Sequence, residues 1–348
     1  MAILIVIVSR HASGAQEDAA AAADQATSQP PRPAFSGLGP LPARNFQPIQ
    51  LIFLNLPFER ARVLAPGEFA LRLESAEINE IATDQGEIQA TLKFETNRTV
   101  FGGSLGVYPH LEVGLDIPML SRFGGFMDPV IDSVENFFGA HNPERSLFPN
   151  NTFGGFHVQR DDIVLFDGPD QQFALGDMWL STKYEMWQPL ESLIVSARGA
   201  VKLPTGDADE VWGSGKPDFG LGVAAEYPAL NWLMIYGNLD GIFPVGPVAN
   251  GNLTLHPFVI QEVAFEARLF ADWASFLVQQ ELYSSPFHGT GSVVLQGTVI
   301  ELAVGFNIAW RNFLLQIGGI DNVSGVAQAA DFTLLGRVTY KGNSDWHF

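Results

Sequence analysis

Thr298-Val299-Ile300-Glu301-Leu302-Ala303-Val304-Gly305-Phe306-Asn307-Ile308-Ala309-Trp310 decides the fold. Its large apolar residues Ile300, Leu302, Val304, Phe306, Ile308 and Trp310 occupy every second position, with Glu301, Ala303, Gly305, Asn307 and Ala309 between them. Successive side chains in a strand point to opposite faces, so this period of two predicts a strand with one apolar and one polar or small face. Glu262 to Phe270 repeats the pattern, Val263, Phe265, Ala267 and Leu269 alternating with Glu262, Ala264, Glu266 and Arg268. So do Ser275 to Tyr283, Phe219 to Tyr227, Leu193 to Leu203, Leu111 to Ile117 and Phe332 to Lys341. The longer segments exceed the roughly five or six residues usual in globular sheets and approach the roughly 9 to 11 that cross a bilayer at a tilt.

Composition agrees. Hydrophobic residues make up 47% of the 348 and charged residues only 16%, so a large surface must be uncharged. Beyond the first dozen residues no run of about 18 apolar residues exists to form a transmembrane helix. A net charge of -19 excludes nucleic acid and anionic headgroups as main partners. The absence of cysteine excludes disulfides, thiolate catalysis and zinc-thiolate sites.

The links between strands alternate in length. Short ones fall at Tyr108-Pro109-His110, Gln188 to Glu191, Pro228 to Asn231, Asp272-Trp273 and Asn312. Longer ones fall at Ala82 to Gly86, Met119 to Gln172, Pro204 to Asp218, Val245 to Pro257, Pro286 to Gln296 and Val323 to Ala330. Tight periplasmic turns and long outside loops have this asymmetry in outer-membrane barrels. Trp187, Trp232, Trp273 and Trp310, with Tyr108, Tyr227 and Tyr340, mark the short-turn side as an interfacial aromatic girdle. The fold class is therefore all-β: a transmembrane outer-membrane β-barrel of about twelve antiparallel strands, with a long extracellular segment containing one amphipathic helix. Outer-membrane lipid of a Gram-negative bacterium is the expected surrounding.

Residues 1–15 resemble a truncated secretory signal, with the apolar run Ala2 to Val8 and Ser13-Gly14-Ala15 before Gln16, but no basic n-region. Residues 16–33 read as a disordered leader. Residues 34–66 carry Pro40, Pro42, Pro48, Pro57 and Pro66 around the apolar Ile49 to Leu56, an extended arm that could dock on or plug the main domain. The barrel spans 67–342, its outside segment 119–172, and a tail occupies 343–348.

If the apolar face meets lipid, the alternate face lines the lumen. That face carries Arg98, Asp177, Lys183, Glu185, Arg198, Lys202, Glu226, Asp240, Glu262, Glu266, Arg268, Glu301 and Arg337. Twelve strands enclose less space than porins of about 16 to 18, so these charges either line a narrow selective path constricted by the arm or fill the lumen as an ion-paired core. In the outside segment, Asp128 as N-cap, Pro129 at the first helical position and Gly139 beyond the end predict a helix. Met127, Val130, Ile131, Val134, Phe137 and Phe138 form its apolar side, either a lid on the mouth or a cap against the hairpin expected over Phe156 to Asp167.

The acidic stretch Asp207-Ala208-Asp209-Glu210 lacks the spacing of a calcium loop, and no metal or cofactor is expected. His141 and His157 with Asp161 and Asp162 are the one constellation compatible with catalysis; it lies in no recognisable motif, and no enzyme activity is expected.

Gly39-Pro40-Leu41-Pro42-Ala43-Arg44-Asn45, Glu95-Thr96-Asn97-Arg98, Gly124-Gly125-Phe126-Met127-Asp128, Gly176-Asp177 and Lys202-Leu203-Pro204-Thr205-Gly206-Asp207 together resemble the proteobacterial family catalogued as domain of unknown function 3187. The resemblance runs from about Gly39 to the C-terminus and implies an outer-membrane barrel, with no established activity or site to carry over. Phe348 is similar to the terminal aromatic of outer-membrane sorting signals, which implies the barrel-assembly machinery as a partner. The function expected is a narrow selective channel or transporter for small solutes. The alternative is a closed barrel acting as an anchor or surface interaction protein.

Overall fold

The computed structural model describes residues 35–138, 142–190, 192–324 and 327–343. The stretches read as signal and leader, Ala34, Gly139, His141 and all of the tail but Asn343 lie outside them, as do the side chains of Val134, Phe138 and Trp187.

Among the described residues the first three strands are β1 (Glu68–Gln85), β2 (Ile88–Tyr108) and β3 (Leu111–Phe123). Helix α1 (Asp128–Phe138) follows, then β4 (Gly155–Arg160), β5 (Ile163–Asp167) and β6 (Gln171–Leu175). The chain continues through β7 (Met178–Leu190), β8 (Leu193–Leu203), β9 (Asp218–Leu230), β10 (Leu233–Pro244) and β11 (Phe258–Arg268). It ends with β12 (Ala274–Ser284), β13 (Thr298–Trp310), β14 (Phe313–Asn322) and β15 (Phe332–Asn343).

Strands β1 to β3 and β7 to β15 pair in antiparallel order, and β1 pairs with β15 from Glu68↔Asn343 to Asn79↔Phe332. This closes a barrel of twelve strands with no free edge in its wall. In β13 exposure and burial alternate from Thr298 to Asn307, the large apolar residues outside and Glu301, Ala303, Gly305 and Asn307 inside. The arrangement inverts a globular domain, with the apolar face outward and charges within. Trp232, Trp273, Trp310 and Tyr108 are exposed at the short-turn end.

One expected loop is absent. Ala82 to Gln85 continue β1, and Gly86-Glu87 form a tight turn, so β1 and β2 project as a hairpin beyond the long-loop end. The β4–β5 hairpin extends this projection by pairing β4 with Ile88 to Lys93. A short β6 joins the upper part of β3, and Gly176-Asp177 break the path between it and β7.

The arm, residues 35–66, runs inside the wall. At the short-turn end Phe35 N donates to Asn231 O. The arm climbs past β12, where Gln279 accepts from Leu41 N at 2.8 Å, to a single turn of 3-10 helix at Gln50–Ile52 beside the long loops. It then descends to Leu64, whose amide donates to Glu112, and enters β1. The two limbs are tied together by Phe58 N to Ala43 O and by Arg60 to the Ser36 and Gly37 carbonyls. The proline spacing explains this path. Residues poor in ladder donors are held by wall side chains instead of by a sheet.

Candidate functional site

The lumen is built from inward positions of the wall and the groups the arm presents to them. Glu74 accepts from three guanidinium groups: Arg98 at 2.9 Å, Arg44 of the arm at 3.4 Å and Arg337 at 2.6 Å. Arg44 and Arg98 also lie over the ring of Trp179, at 5.2 and 5.4 Å from its centroid. Arg198 pairs with Asp240, Glu262 and the arm's Glu59, and donates to Pro57 O at 2.8 Å. Glu59 reaches on to Lys183 at 3.0 Å, and Lys183 faces Glu112 at 3.9 Å.

Lys202 ties wall, arm and loop together. Its Nζ lies 2.6 Å from Asp177, 3.2 Å from Asp218, 2.5 Å from the Ile52 carbonyl and 2.5 Å from Ser214 Oγ. Nearer the short turns, Glu226 holds Arg60 at 2.9 Å and Arg62 at 3.5 Å. Glu266 accepts from Leu38 N, Gly39 N, Tyr236, Ser275 and Asn307, which compensates the burial of its charge. Glu262, Glu281 and Glu301 face one another in register across β11, β12 and β13.

Two residues assigned to the lumen stand elsewhere. Arg268 pairs with Asp272 at 2.8 Å beside its own turn, and Glu185 faces His110 at 3.7 Å on the short-turn rim. Arg268 occupies the last inward position of β11, and Glu185 precedes a register shift in β7 near the same rim.

The sequence reading missed the arm's half of the site, Arg44, Glu59 and Arg60, because strand periodicity says nothing about charges in an irregular segment. One signal was available in the small inward residues. A Cβ on Gly222 would lie 1.8 Å from Asp240 Oδ1, and one on Gly102 would lie 2.0 Å from Asp116 Oδ1. Glycine on one strand makes room for the ion pair of a neighbour.

Four spaces follow one side of the arm. A recess of about 490 Å³ opens at the long-loop end and includes Ile52 and Ser214 in its lining. Below it lies a space of about 20 Å³ beside Leu54, Asp177 and Lys202, then one of about 40 Å³ among Arg44, Glu59, Arg72, Glu112 and Lys183. A second recess, about 630 Å³, opens at the short-turn end beside Arg60, Leu64 and Glu68. The two inner spaces share Arg44 and Trp179 and have room for about a water or two each.

At the long-loop end Asp128 is a hub, not an N-cap. The first helical bonds run to Met127 O, which leaves the Asp128 carboxylate free to bind Lys93 at 2.5 Å, Arg145 at 3.1 Å, Asn79 at 3.0 Å and Asn151 N at 2.7 Å. Burial raises its pKa, but the bonds from Lys93, Asn151 and Asn79 outweigh it and hold it below the ordinary carboxylate value. Arg145 also binds Glu135 and Asp331. Burial pushes Asp331 and Glu144 up.

The hub also sets the rotation of the helix. Met127 and Ile131 are buried, whereas Val130 is 64% and Phe137 83% exposed, so the expected apolar side does not pack as a unit. The helix is tied to residues 142–151 by Asp132–Asn150 and Glu135–Arg145. His157 bonds Asp167 and Gln159, not Asp161 or Asp162. Among the described residues no group of three or more histidine, aspartate or glutamate side chains is placed to hold a metal.

Closure, inverted polarity and strand length define an outer-membrane type of β-barrel with an internal arm. The family model described as "Protein of unknown function (DUF3187)" matches residues 26–341, and the chain belongs to that family. Among solved structures it is similar to the COG4313 outer membrane channel from Pseudomonas putida F1, at 11% identity and a TM-score of 0.54, covering 81% of this chain and 98% of that one. The NanC porin matches at 8% identity and a TM-score of 0.46, covering 79% and 99%. No curated protein matches.

Proposed function

We propose that this protein is a gated channel in the outer membrane of a Gram-negative bacterium, passing small solutes along the arm and shut in the conformation described. It meets lipid with its outer face and depends on the barrel-assembly machinery for insertion. The observation that carries this reading is a recess at each end of the lumen with two small spaces between them, both of these lined by arm residues and wall residues together and sharing Arg44 and Trp179. Along the limbs, ion pairs and single hydrogen bonds hold the arm at Arg44, Glu59, Arg60 and the Leu38, Gly39 and Leu41 amides. Each is worth little against solvated alternatives once water follows the arm's displacement. The paired charges at the constriction would then select among solutes by charge.

The test is single-channel recording of the full chain in planar bilayers. Wild type is expected to open rarely and briefly. Replacing Glu226 and Glu266 together by Gln keeps their shape but weakens the hold on Arg60 and on the Leu38 and Gly39 amides. It should raise the open fraction by about tenfold or more, since one charge-assisted bond is worth about 1.5–3 kcal/mol. No current steps from either protein would reject the channel. It would favour the second reading, a closed barrel presenting its outside segment. The dry packing of Phe53 against Phe258 and Phe287, at ring separations of 6.4 and 5.6 Å, speaks for that alternative.

A further inference from the structure

We infer that the recess at the long-loop end is a binding site for a small zwitterion with an apolar side chain, in the manner of a hydrophobic amino acid. Three segments converge there: β5, the loop after β8 and the loop after β10. Its volume, about 490 Å³, lies within the roughly 300–1,000 Å³ usual for small-molecule sites. Its lining mixes polar groups with the apolar side chains of Leu165, Phe166, Val211 and Val248 and of Ile52 of the arm.

Its charged lining groups decide the class of ligand. Asp167 is engaged by His157 at 3.0 Å. Asp209 and Lys216 stand on one loop and both line the recess, yet no ion pair joins them to each other or to any other group among the described residues. An apolar solute would leave both charges unused, and a simple cation or anion would use one. A zwitterion offers an opposite charge to each, and its side chain meets the apolar part of the lining.

The floor gives the site a consequence. The Ile52 carbonyl and Ser214 share Lys202 Nζ, so a ligand seated on Ile52 rests on the point where arm, loop and wall are joined. That role in gating rests on the channel reading; the binding site itself does not.

The experiment is calorimetric titration of the detergent-folded full chain with L-phenylalanine, phenethylamine and 3-phenylpropionate. Phenylalanine is expected to bind most tightly. Asp209→Asn and Lys216→Gln should each weaken it by about threefold to fivefold, as an exposed ion pair allows. Asp209→Asn alone should weaken phenethylamine, and Lys216→Gln alone should weaken phenylpropionate. Ala208→Trp, at an exposed lining position where folding is not at stake, should abolish all three by filling the recess. Absence of phenylalanine binding at millimolar concentration, equal binding of the amine or the acid, or full binding to Ala208→Trp would each overturn the site. Phenylalanine binding without conductance in any variant would uphold the site while the channel reading fell; conductance without phenylalanine binding would do the reverse.

Discussion

The two halves of the lumen are filled by different physics, although one arm fills both. Toward the long loops Ile49, Ile52, Phe53, Leu54 and Leu56 pack into a continuous apolar cluster with Phe258, Phe287, Val294 and Leu295. Toward the short turns the arm is held by carboxylates on backbone amides and on Arg60, with only small apolar groupings such as Phe35, Phe58 and Tyr236. Apolar packing carries no ionic compensation and is lost as a block when its centre is removed. Ionic fastening exchanges readily for water. The arm is therefore anchored at its tip and fastened along its limbs, an arrangement suited to limbs that shift while the tip stays.

The largest expected effect comes from breaking the anchor. Phe53→Ala removes a ring that meets both Phe258 and Phe287 edge-on, and should cost about 3–5 kcal/mol of arm docking. Hydrogen exchange at residues 49–56 should then rise well above that of the limbs. Unchanged protection there would mean that the apolar cluster is not what seats the tip, and the contrast between the halves would fail.

Legibility in the sequence follows the same division. The wall was readable because a period of two is a local property, as Thr298 to Trp310 shows, and closure into an even number of strands followed from the links. The ion pairs were readable only as a set of inward charges. Which of them meet depends on wall curvature and on the arm, and Arg198 finds Glu59 139 positions away. The helix shows the limit most clearly. Asp128-Pro129 places its start, but Lys93 and Arg145 decide its rotation, so the expected face came out divided between Ile131 inside and Phe137 outside.

A smaller effect sharpens a second contrast, between lumen and cap, through pH. Asp128 has a folded pKa below its unfolded value, so its contribution is complete above about pH 4 and is lost as pH falls through the folded pKa. Asp331 and Glu144 act oppositely: both are raised by burial, and protonation on mild acidification relieves that cost. Protection of α1 against hydrogen exchange should therefore rise slightly from pH 7 to about pH 5 and fall below about pH 4. Asp128→Asn should abolish the fall and keep the rise; a fall that persists in that variant would show that Asp128 is not the hub.

The smallest effect belongs to His157, which sits outside the wall on β4. Hydrogen bonds to Asp167 and Gln159 raise its pKa, so its contribution is present in full below about pH 6.5 and disappears as pH rises through the higher folded value. Solvent screens the pair, and His157→Gln should change hairpin stability by less than about 1 kcal/mol. The informative quantity is direction. The β4–β5 hairpin should lose a little protection on going from pH 7 to pH 9 while α1 does not, because the hairpin is fastened by a histidine that must be charged and the helix by carboxylates whose titration is complete below pH 7. Loss of protection in both elements together would mean that cap and hairpin open as one unit, and the hub at Asp128 would then extend through β2 to the hairpin.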